Sequence, residues 1–109
     1  MLENTFLITL RQILARRGKD APVKSGFAIY LFGSSLSGKL TSDVDLLVVY
    51  ERGVPLAAAS QVRAWLAETI TCDLGRKADI CLLSSVEEAE VDFIKTEGAA
   101  LLLNVFNSE

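Results

Sequence analysis

Two aspartates one residue apart, Asp43 and Asp45, open the apolar run DVDLLVVY. In an extended chain alternate side chains share a face, so both carboxylates project to one side, about 7 Å apart along the strand. Like charges so placed repel, and burial pushes one pKa up. A divalent cation removes the conflict by taking oxygen from both. The chain contains no histidine, so a metal here must be held by oxygen, which selects a hard ion such as Mg²⁺, with Mn²⁺ as its substitute. Mg²⁺ favours one or two carboxylates completed by water and phosphate oxygens, which is the chemistry of a nucleotide site.

A third aspartate, Asp79, stands between Ala78 and Ile80 in KADICLL. A carboxylate with apolar neighbours in a buried strand is costly unless it is paired or metal-bound. If that strand lies beside the one carrying Asp43 and Asp45, the three carboxylates converge and can share two ions. With histidine absent, Asp79 is also the natural general base for a hydroxyl nucleophile, and it can equally act by ligation alone. The rival reading is a strand-edge acid paired with Arg76 or Lys77.

Upstream lies GSSLSGKLTS. Gly33 allows close approach to a phosphate, and exposed N–H groups in such a turn attract anions. The Ser34 hydroxyl can donate to a phosphate oxygen, with Ser35 beside it, and Lys39 adds positive charge. The segment is not a P-loop. Gly33 and Gly38-Lys39 have the right gap, but Leu40 replaces the required hydroxyl and a strand follows in place of a long helix.

These residues need elements to position them. Apolar spacing predicts a helix from Leu2 to Arg17, with Gly18 as its stop. Phe27 to Phe32 reads as a strand bounded by glycines, and Asp43 to Tyr50 as a buried strand. Leu56 to Leu74 is helical, opened by Pro55 and closed by Gly75. Lys77 to Leu83 is a third strand. Ser85 with Glu88 gives a capping-box signal for a last helix from about Val86 to Asn104. The order α-β-turn-β-α-β-α predicts an α/β (α+β) two-layer sandwich, a small mixed sheet of three strands or slightly more with helices on one face. The dense apolar end, Leu101, Leu102, Leu103, Val105 and Phe106, exceeds one helical stripe, so it serves either the core or a partner surface.

Gly33-Ser34, eight residues, then Asp43-Val44-Asp45-Leu46 resembles the signature of the DNA polymerase β-like nucleotidyltransferase superfamily. Within it the chain is most similar to the minimal nucleotidyltransferases, through Asp79-Ile80 and Phe93-Ile94-Lys95-Thr96-Glu97-Gly98 as well. The resemblance covers nearly the whole chain. It implies metal binding by Asp43 and Asp45, a third catalytic carboxylate at Asp79, and triphosphate contact at Gly33 and Ser34. It also implies ATP as the nucleotide and, by analogy, a HEPN-type toxin as protein partner, with the chain as its antitoxin.

The bulk numbers bound these readings. At 109 residues, half apolar and 23% charged, the chain suits one globular domain spanning 1–109. Its net charge of −3 gives no bulk support for nucleic-acid binding. Cys72 and Cys81 are too few for a disulfide framework and are expected as small buried hydrophobes. The N-terminus has no signal-peptide pattern and no stretch reaches a membrane span, so a cytoplasmic protein is the default. Two functions follow. One is metal-dependent transfer of a nucleotidyl group, AMP from ATP, to a hydroxyl acceptor. The other is a catalytically weak or inactive binding module that regulates a partner, or pairs with a second copy, through the apolar C-terminal helix.

Overall fold

The computed structural model describes residues 5–33 and 43–106. Helix α1 (Thr5–Arg17) leads into a 3₁₀ turn at Gly18–Asp20. Strands β1 (Phe27–Phe32) and β2 (Asp43–Tyr50) follow, then helix α2 (Leu56–Leu74) and strand β3 (Lys77–Ser84). Two short helices, α3 (Ser85–Val91) and α4 (Phe93–Glu97), precede strand β4 (Ala100–Asn104). Leu2, expected to begin the first helix, lies outside the described residues.

The four strands form one mixed sheet in the order β3-β2-β1-β4. β1 is antiparallel to both β2 and β4, and β2 and β3 run parallel with α2 as the crossover. This is the expected mixed α/β sheet, one strand larger than its minimum. α2 buries Ala59, Val62, Leu66, Thr69 and Ile70, the i, i+3, i+4 spacing of one helical face. α1 buries Leu10, Ile13 and Leu14. Both stripes cover a single face of the sheet, where Phe27, Ile29, Leu31, Val44, Leu46 and Val48 make the core. That face is apolar in every strand, so alternation sends Asp43, Asp45 and Asp79 to the opposite one.

The opposite face is not bare. Phe32, which alternates away from Leu31, meets Phe93 of α4 edge to face, with ring centroids 4.9 Å apart. Leu47 and Val49, on the same face of β2 as Asp45, are buried too. The short helices therefore lie across part of the aspartate face.

The chain's end departs from the single long helix expected of it. α3 stops at Asp92, which takes a left-handed backbone (φ 53°), and α4 stops at Gly98 (φ 63°). The leucines then pair with β1 as an edge strand, with a register shift between Ile29 and Tyr30. Leu102 is buried in the core and Leu103 packs against it, while Leu101 is half-exposed. Among the described residues the expected apolar C-terminal helix is thus replaced by a strand and does not receive a partner. The sheet, whose neighbouring strand offers unpaired backbone groups, absorbs most of that apolar surface. The capping box sits one residue earlier than expected: the Ser84 hydroxyl accepts from Glu87 N–H, and Glu87 accepts from Ser84 N–H. Cys72 and Cys81 are both exposed free thiols and not core residues, because Cys72 is on the outer side of α2 and Cys81 is on the aspartate face of β3.

Candidate active site

β2 and β3 bring the three aspartates together. Their parallel register sets Asp45 directly opposite Asp79, and Asp43 opposite Lys77. Neighbouring strands are about 4.8 Å apart and alternate residues about 7 Å, so the three carboxylates start from one small triangle on one face. Among the described residues β2 is the one strand neighbour of β3, so β3 is an edge strand and leaves Asp79 exposed, contrary to the expected buried position. Asp43 and Asp45 are half-buried.

Electrostatics reflects this convergence. Partial burial pushes the Asp45 carboxyl above the usual range, and the charges of Asp79 and Asp43 push it further. At about 5 Å, two like charges repel by about 1 kcal/mol in water and about 3 kcal/mol in a half-shielded site. Among the described residues, no three acidic, cysteine or histidine side chains are already drawn into a cage tight enough for an ion. The donor set still fits a hard divalent cation: oxygen ligands only, on one face, with charge in excess.

Gly33 closes the site from β1. Its backbone is left-handed (φ +81°), and a Cβ there would overlap the Asp45 Oδ2 and come within 3.0 Å of its Cγ. Only glycine lets the chain leave β1 this close to the carboxylate. Ser34, Ser35 and Lys39, expected to bind phosphate, lie outside the described residues.

The nucleotidyltransferase domain family matches the chain over residues 7–101. The chain belongs to that family. The span runs from the third residue of α1 through all the strands that carry the site to the second residue of β4. Among solved structures, a candidate nucleotidyltransferase from Sulfolobus solfataricus is 18% identical, covering 90% of this chain and 80% of that one at a TM-score of 0.48. A mutant of the toxin–antitoxin pair MntA–HpeT is 20% identical, covering 94% and 74%, also at 0.48. No curated protein is similar enough to count as a match.

Two other ionisable groups on this face of the nucleotidyltransferase domain stay neutral. Burial, Asp79, Asp45 and Glu97 all push the Cys81 thiol up, so it stays protonated and weakly nucleophilic. Burial first, then Glu88, pushes the Tyr30 phenol up and keeps it neutral. A cavity of about 650 Å³ between the last turns of α1 and α2, with Arg16, Arg17 and Asp73 in its wall, contains none of the candidate residues. Lys77 and the Phe32–Phe93 pair were not among the expected site residues. For Lys77 the signal was present, two residues before Asp79 on the same strand face. Phe93 stood in the sequence only as part of the motif that carries the resemblance; its contact with Phe32 needs the fold of α4 across the sheet.

Proposed function

We propose that this domain transfers a nucleotidyl group from a nucleoside triphosphate to a hydroxyl acceptor, with a divalent metal at Asp43, Asp45 and Asp79. The observation that carries the reading is the register of β2 and β3, which sets Asp45 opposite Asp79 beside Gly33. When bound, Mg²⁺ would offset the charge of the triphosphate and of the aspartates. Asp43 and Asp45 would hold the ion through their carboxylate oxygens, and Gly33 leaves room for the phosphates of the nucleotide. Asp79, on the open side, takes the proton of the acceptor hydroxyl. The acceptor oxygen bonds to the α-phosphorus, the bond to the bridging oxygen breaks, and pyrophosphate leaves. Positioning and charge neutralisation account for most of the rate in such a site.

ATP is the first nucleotide to try. The protein is incubated with Mg²⁺ and ATP labelled at the α-phosphate, alone and with the product of the neighbouring gene. Label should transfer covalently to an acceptor, and Asp43→Ala and Asp79→Ala should each abolish it. Partner neutralisation without any label transfer by the wild type would reject catalysis and leave a binding module.

A further inference from the structure

Lys77 opens β3 on the aspartate face. The register puts it one strand step from Asp43, and alternation puts it on the same side as Asp79. It is exposed, and among the described residues it takes part in no ion pair. Its neighbour Arg76 is engaged elsewhere, its guanidinium 4.9 Å from the centre of the Phe6 ring. In the sheet order β3-β2-β1, Lys77 and Gly33 therefore flank the Asp43–Asp45 pair from opposite sides.

A lysine at this register position, exposed and in no ion pair with the carboxylates, suits an anion that arrives with its own cation. A triphosphate keeps negative charge after one or two divalent ions bind, and lysine meets phosphate as a flexible point charge. We infer that Lys77 contacts the phosphate chain of the bound nucleoside triphosphate from the β3 side, opposite Gly33. This rests on the nucleotidyltransferase reading above.

The experiment compares wild type, Lys77→Gln and Lys77→Arg by calorimetric titration with ATP in Mg²⁺, by Mn²⁺ titration without nucleotide, and by thermal unfolding. The glutamine variant should bind ATP about tenfold more weakly, the loss of one charge-assisted contact. The arginine variant should stay within about threefold of wild type. Mn²⁺ alone should bind the glutamine variant as well as wild type or better, because a positive charge has left the side of Asp43. Unfolding should not change. Damage to the site would weaken Mn²⁺ and ATP together, and that parallel loss overturns the inference. So does ATP binding by Lys77→Gln within twofold of wild type. If the wild type itself binds no ATP, the nucleotidyltransferase reading fails first and takes this inference with it.

Discussion

Gly33 separates two costs that usually travel together. Its left-handed backbone disfavours any Cβ, by about 1–2 kcal/mol, and its contact with Asp45 leaves a Cβ no room. Gly75 is also left-handed, at φ 64°, but nothing lies within 4 Å of a Cβ built there. Alanine should lower stability at both positions in urea denaturation, and by more at Gly33, where the Cβ also meets Asp45. Only Gly33→Ala should also weaken Mn²⁺ or ATP binding, because it must push the Asp45 carboxylate aside. Equal loss of binding in both variants would mean that Gly33 matters for the turn and not for the site. The aspartates themselves were legible in the sequence. Period-two alternation sends Asp43 and Asp45 to one face, and that inference needs no tertiary information. Asp79 opposite Asp45 required the pairing of two strands separated by a 19-residue helix. Whether its strand lay at an edge or in the middle depended on where β4 docked.

Among the elements, helix α2 and strand β2 have the bounds their patterns predict, since their periodicity is long and their stops are clear at Tyr50 and Gly75. The chain's end was not legible. Leu101-Leu102-Leu103 fits neither a period of two nor of 3.6, and a five-residue edge strand is decided by its partner and not by its own sequence. The capping box shifted because Ser84/Glu87 and Ser85/Glu88 both satisfy S-x-x-E, and the end of β3 chooses between them. Ser84→Ala should cost about 1 kcal/mol in chemical denaturation, while Ser85→Ala should cost much less. The tie between α1 and α2 has a pH signature. Arg17 donates from Nε and Nη2 to the two Asp73 carboxylate oxygens, at 3.2 and 2.6 Å. That hydrogen-bonded guanidinium holds the Asp73 carboxyl below its usual value. A depressed carboxyl binds fewer protons folded than unfolded, so its contribution is whole above the ordinary carboxylate pKa and fades as pH falls through the lowered one. Wild type and Asp73→Asn should differ in stability at neutral pH, and the difference should shrink below about pH 4. A difference that is constant down to pH 2 would assign the contact to packing and not to charge.

For the whole molecule, the site and the fold pull in opposite directions. The core lies on one face of the sheet and gains nothing from the aspartates on the other, where three like charges oppose the compact state. Asp45 bears most of this, being half-buried and facing both of the others. Asp45→Asn keeps the shape and removes the charge, so without metal it should unfold at a higher temperature than wild type, by about 1 kcal/mol of added stability. Ligand should reverse the order. Anything that binds the folded state alone stabilises it by mass action, about 2.7 kcal/mol at a concentration one hundred times Kd. In a domain of this size each kcal/mol moves Tm by about 4–8 °C, so Mg²⁺ with saturating ATP should raise the wild-type Tm by about 10–20 °C. The same addition should move Asp45→Asn little, and the two melting curves should cross over as ligand is added. Calorimetry or dye-monitored melting of both proteins, with and without Mg²⁺ and ATP, measures this directly. A variant less stable than wild type in the absence of metal would show that Asp45 is held by compensating contacts. An equal ligand shift in both would remove Asp45 from the site.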